Sequence, residues 1–262
     1  MENSPSIGNM DPNYVPEDLK SPYDIVDLPS QGLLYENKKS KVKVEYLTAM
    51  DESILTSPNL TSNPTMMLNT LLRRKVKDLG FDPENLIEGD RTALIIFLRS
   101  TGLGEIYKQL IYVENEEDFV EAEIDLTSLE QKKLTIRPDK NNEFDFILPI
   151  SQKNIKFKFL TGKDEMEVDV LDESQKNRDP DNLSHKLQLR LEKSVSEIDG
   201  ERDKMKISNI LKRIPIKDAR SLRKYINDNE PGLEFNTTAR TPGGASVPCF
   251  LRFNSSFFWP EL

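Results

Sequence analysis

The sequence predicts an α+β protein of two similar lobes from an internal duplication, each running strand–helix–helix–helix–β-hairpin, behind an extended N-terminal arm. Three observations lead to this expectation. The alternating stretches "SKVKVEYL" (40–47) and "NIKFKFL" (154–160) each run into a Thr-x-x-Asp step, "LTAMDESIL" and "LTGKDEMEV". Further amphipathic helical segments follow each step. Each series then ends near a glycine and passes into β-rich sequence. On this basis the chain divides into an arm (1–39), a first lobe (40–126), a connecting β-rich segment (127–152) and a second lobe (153–262).

In the arm, five prolines and little periodicity predict extended chain. Its ordered end is "VDLPSQGLLY" (26–35), apolar residues around a Pro-Ser-Gln-Gly turn. In the first strand Val42, Val44 and Tyr46 alternate with Lys41, Lys43 and Glu45; in the second Ile155, Phe157 and Phe159 alternate with lysines. Thr48 with Asp51, and Thr161 with Asp164, then read as capping boxes, in which the hydroxyl and the carboxylate satisfy each other's backbone N–H groups. Capping is a sufficient reason for acidic residues at these positions, because a carboxylate also complements the positive end of the helix dipole.

Asn63-Pro64 starts the next helix, with Met67, Leu68, Leu71, Leu72 and Val76 on one face and Gly80 closing it. Its counterpart is 184–199, with Leu187, Leu191, Val195 and Ile198 in one stripe. The polar stretch 172–182 reads as a surface loop. Asp90 and Asp218 read as N-caps of the third helices. Counted from each Asp, Leu94 matches Leu222, Leu98 matches Ile226, Gly104 matches Gly232 and Tyr107 matches Phe235. The hairpins follow, "YKQLIYV" with "FVEAEIDL", and "FNTTAR" with "SVPCFLRFNSSFFW".

Composition bounds the chemistry. The 262 residues contain one cysteine (Cys249) and one histidine (His185), which excludes an intrachain disulfide and a Cys-x-x-Cys metal site. His185 lies in polar sequence and reads as a solvated helix residue. A net charge of −9 argues against nucleic-acid binding, which depends on phosphate neutralisation. "STGLGE" lacks the lysine and spacing of a phosphate loop. The longest apolar runs (93–98 and 146–150) fall well short of a membrane span, and the N-terminus has no signal-peptide core, so the expected place of synthesis is a cytoplasm. No cofactor or small-molecule ligand is expected. A distant alternative, a metal-dependent hydrolase on Asp51, Glu52, Asp90 and their second-lobe equivalents, requires those carboxylates to converge on one cleft.

"LPSQGLLY", "LTAMDESIL", the block "GDRTALIIFLRSTGLGEIYKQLIYV" and the closing "FFWPEL", in that order, resemble the baseplate hub and baseplate assembly proteins of T-even-type tailed bacteriophages. The resemblance covers most of residues 26–126 and the chain from about 218 to its end. It implies a structural or assembly protein without catalytic residues. Its partners would be other tail proteins (hub, tape measure or tail tube), and its place the virion baseplate after assembly in the host cytoplasm. An assembly chaperone absent from the mature virion is the alternative. Relatives carry cysteine pairs in the two hairpins as small zinc-binding turns. Here the same stretches read "VENEEDF" and "ARTPGGASVPC", so turn chemistry at Asn115-Glu116 and Gly243-Gly244 has to replace the metal. The aromatic end, Phe257, Phe258 and Trp259, is the candidate partner anchor, unless it is buried in its own hairpin layer.

Overall fold

The computed structural model describes residues 21–57, 64–113, 118–252 and 255–258. Among them are seven α-helices, and every strand pairing is antiparallel, an α+β arrangement around one continuous hydrophobic core. No helix among the described residues is long and apolar enough to cross a membrane.

The first sheet orders β1 (Tyr23–Asp27), β2 (Lys41–Glu45) and β3 (Val76–Lys77). Alternation in β2 puts Val42 and Val44 wholly inside. The expected arm therefore enters a sheet at Tyr23, with Val26 opposite Val42. After β2 come a 3-10 turn (Ala49–Asp51) and the short α1 (Glu52–Leu55), then α2 (Pro64–Lys75). Asn63, expected to cap α2, lies outside the described residues. Val76 was expected on the helical face but stands in β3, opposite Val44. A β-branched residue at the helix end gains more from a buried cross-strand partner than from one more helical turn.

The second sheet orders β7 (Phe144–Ile147), β8 (Asn154–Phe157) and β9 (Val195–Ile198). The predicted helix 184–199 is thus helix α5 only over Lys186–Ser194. Val195 and Ile198 pair with Phe157 and Ile155, the same substitution of strand for helix as at Val76. Helix α4 (Gly162–Lys176) absorbs the first part of the predicted loop 172–182, because Asp-Glu-Ser-Gln-Lys tolerates the helix until Asn177. Rings of Phe144, Phe157 and Phe159 cluster with centroids 4.8–6.0 Å apart beneath this sheet.

Helix α3 (Glu88–Leu103) leads into the long hairpin β4 (Ile106–Val113) and β5 (Asp118–Asp125). Helices α6 (Lys204–Leu211) and α7 (Ile216–Asn229) lead into β10 (Gly232–Leu233), which pairs with β6 (Gln131–Lys132), and then the hairpin β11 (Asn236–Arg240) and β12 (Ser246–Phe250). The two hairpins share one sheet, ordered β12-β11-β5-β4 and joined at Arg240 and Glu123. Gly244, at φ +81, makes the turn between β11 and β12, with its N–H on Thr241 O at 2.8 Å. Asn115 and Glu116, at the tip of the other hairpin, lie outside the described residues.

Candidate functional site

All four aspartates singled out in the sequence occupy the third position of a helical turn, and each is bound differently. Asp164 forms the expected reciprocal box: its Oδ2 accepts from Thr161 N (3.0 Å), and its own N–H donates to Thr161 Oγ1 (3.2 Å). Asp51 accepts from Thr48 N and Oγ1, both at 2.8 Å, and also receives Lys75 Nζ at 2.5 Å and Arg74 Nε at 2.8 Å. Burial pushes the Asp51 carboxyl up, but the hydrogen bonds from Lys75 and Thr48 outweigh it and the net shift is downward.

Asp90 and Asp218 are not N-caps; Ile87 and Pro215 occupy those positions. Their carboxylates turn away from the helix and hold a preceding loop instead. Asp90 accepts from Ser30 N (2.8 Å), Ser30 Oγ (2.5 Å) and Tyr35 OH (2.6 Å), while Tyr35 OH accepts from Ile87 N (3.1 Å). Asp218 accepts from Ile150 N (2.7 Å) and Ser151 N (2.9 Å). The loops they hold are alike. Leu28 N donates to Ser40 O and Leu148 N to Lys153 O, while Gln31 N and Gln152 N close back on the two leucine carbonyls. Gln31 and Gln152 both have positive φ, 54° and 56°. The shared signal is Leu-Pro with Gln shortly before a strand, which "LPSQ" and "LPISQ" both carry. Deep burial raises the Asp90 carboxyl. At Asp218 burial pushes the same way, but the hydrogen bonds from Ile150 and Ser151 outweigh it, and the carboxyl is lowered.

These carboxylates do not meet. No two of Asp51, Asp90, Asp164 and Asp218 share a hydrogen-bond partner, and among the described residues no group of three or more potential ligands could hold a metal ion. The convergence that a hydrolase on these residues needs is not present. Glu52, next to Asp51, is exposed on the short α1.

A second cluster of charge, which no spacing in the sequence announces, lies where the starts of α3 and α4 meet. Glu88 N donates to Leu160 O and Gly162 N to Leu86 O, so the starts of α3 and α4 are stitched together. Beside this stitch lie two ion pairs, Arg91–Glu88 (3.3 Å) and Arg190–Glu165 (2.7 Å). A hollow of about 470 Å³ opens next to them between α5 and α7, lined by Leu160, Leu187, Leu191 and Ile226, with Arg190 and Glu230 at its edge. Burial first, then repulsion from Glu88 and Glu165, pushes the Glu230 carboxyl up to about 8, only partly offset by Arg190. Glu230 retains some accessible surface, so it can exchange a proton with solvent near neutral pH.

The aromatic end is spent inside its own chain. Phe257 and Phe258 are 2% and 4% exposed. Phe257 sets its ring edge-on to Tyr107 at 5.1 Å, and its carbonyl accepts from the buried Arg99 Nε at 2.6 Å. Of the two readings of this end, burial in its own hairpin layer is the one that Phe257 and Phe258 follow. Trp259 lies outside the described residues. His185 sits at the start of α5, its ring 3.1 Å from Asp179 and partly exposed.

Exposed apolar groups are spread over several elements, and one set of them shares the outer face of the hairpin sheet. Ile106, Leu110 and Tyr112 of β4 and Phe119 of β5 are 47%, 67%, 55% and 64% exposed. The alternation that buries Tyr107, Gln109, Ile111 and Val113 puts them there.

Comparison with protein-family models, curated proteins and solved structures finds no match for this chain.

Proposed function

We propose that this chain is a non-enzymatic structural component of a tailed-phage baseplate or tail hub, built by internal duplication and working through contacts with other tail proteins. The observation that carries the reading is how the molecule uses its groups. The carboxylates that invite a catalytic reading are committed to turns and caps, while Ile106, Leu110, Tyr112 and Phe119 are left facing outward on one sheet. The order of "LPSQ", "LTAMDESIL" and the α3–β4 block supports the family. Two strands around a Leu-Pro…Gln loop, two helices, a short strand and an Asp-clamped helix recur in the same order, with α6 inserted before the clamped helix in the second series, and support the duplication.

Mass spectrometry of purified particles tests this. The chain is expected in the finished virion at a fixed ratio to its tail partners. Presence in assembly intermediates with absence from mature particles would replace the structural reading with the assembly-chaperone one.

A further inference from the structure

Strand β4 is an edge strand, paired on one side only, with β5. Exposed edges are normally blunted by proline, a bulge, clustered charge or short length. β4 has none of these over its eight residues: its register with β5 runs without a shift from Ile106↔Asp125 to Val113↔Asp118, and Lys108 is its one charge. Although the chain carries −9 overall, this strand has no carboxylate; Glu121, Glu123 and Asp125 stand one strand back.

We propose that this edge pairs with β4 of a second copy of the chain, antiparallel, about a two-fold axis normal to the sheet at Leu110. The two four-stranded sheets then become one. The symmetry limits the choice, because a two-fold between antiparallel neighbours must set one residue opposite its own copy. Centring on Lys108 sets two ammonium groups face to face. Centring on Gln109 sets a buried amide, already bound to Phe250 O and Arg252 N, against its copy and Lys108 against Leu110. Centring on Leu110 packs leucine on leucine and lays Lys108 against Tyr112 of the other copy on both sides of the axis. The chain already uses a cross-strand Lys–Tyr contact in its first sheet, there on the diagonal: Lys43 stands opposite Ile25 and sets its Nζ 3.7 Å from the Tyr23 ring centroid. Lys108 is free to turn, since its ion pair with Glu121 (3.2 Å) is more than half exposed at both ends.

The test is light scattering and sedimentation of the full chain, with two sets of variants. The wild-type chain is expected to be a concentration-dependent dimer. Leu110→Lys, at an exposed position, is expected to be monomeric with an unchanged circular-dichroism spectrum and with the melting temperature that the wild-type chain shows when diluted to monomer. In a Cys249→Ser background, mild oxidation is expected to cross-link Leu110→Cys between copies but not Ile106→Cys, whose copy lies about 26 Å away at 3.3 Å per residue. A wild-type monomer at every concentration, a Leu110→Lys dimer, or cross-linking through Ile106→Cys would each overturn the proposal. The inference does not depend on the phage reading: a monomer found in virions overturns the pairing alone, and a dimer absent from virions overturns the structural tail role alone.

Discussion

At the scale of single residues, the informative comparison is between two aspartates with the same local job. Both carboxylates are fully buried, but Asp90 satisfies three donors from the equally buried Ser30 and from Tyr35, whereas Asp218 satisfies two backbone N–H groups of a turn whose Ile150 is half exposed. Removing an acceptor strands buried donors in the first case but lets water replace it in the second. Asp90→Ala is therefore expected to cost about 3 kcal/mol and Asp218→Ala about 1 kcal/mol, with Tyr35→Phe between them, measured by urea unfolding. Equal costs would contradict this account. Glu230 makes a separate prediction about pH. Its native carboxyl holds a proton up to about pH 8, whereas an unfolded glutamate loses it near its ordinary 4.5. Between those values the native state binds more protons, so stability falls as pH rises through the window and levels off above it. Glu230→Gln should flatten that fall, read as melting temperature against pH, and an unchanged slope would remove Glu230 as its source.

At the scale of elements, the sequence was legible where a residue's role is local. Period-two strands, both Thr-x-x-Asp boxes and the Gly243-Gly244 turn follow from spacing alone, and the structure has them where expected. What was illegible depended on partners distant in sequence. Val76 and Val195 fit a helical stripe, and only the neighbouring strands make them strand residues. Asp90 and Asp218 look like caps until the loops at Ser30 and Ser151 are brought to them. The Glu88–Glu165–Glu230 cluster draws on three separate helical regions, so no spacing could announce it. The contacts of α3 with α4 and with the chain after α7 are likewise set by close approach. A Cβ on Gly89 would lie 1.7 Å from Pro231 O, and one on Gly162 would lie 2.2 Å from the Arg91 guanidinium carbon. Alanine favours a helix by about 1 kcal/mol over glycine, yet both Gly→Ala changes are expected to destabilise. Gly89→Ala should cost more, above about 2 kcal/mol, because a backbone carbonyl cannot swing aside as a side chain can. Thermal melts that rank Gly162→Ala as the worse change would contradict this packing.

At the scale of the whole molecule, the question is whether the two halves unfold together. Their boundary is crossed by main-chain bonds at Glu88 and Gly162, by β11 on β5, by β10 on β6, and by Phe257 covering Tyr107 and Arg99. Most of the buried apolar residues, from both halves, belong to one cluster. A chain of this length with separate cores would lose one half before the other. With a shared core, opening either half bares the inner face of the hairpin sheet and the glycine contact at α3, so neither half is stable while the other is open. A single transition is therefore expected, coincident by near- and far-ultraviolet circular dichroism. Asp90→Ala and Asp218→Ala, although they sit in different halves, should move that one midpoint without splitting it. Two resolved transitions, each shifted by only one of the substitutions, would show that the halves are independent units and that the bonds across their boundary contribute little.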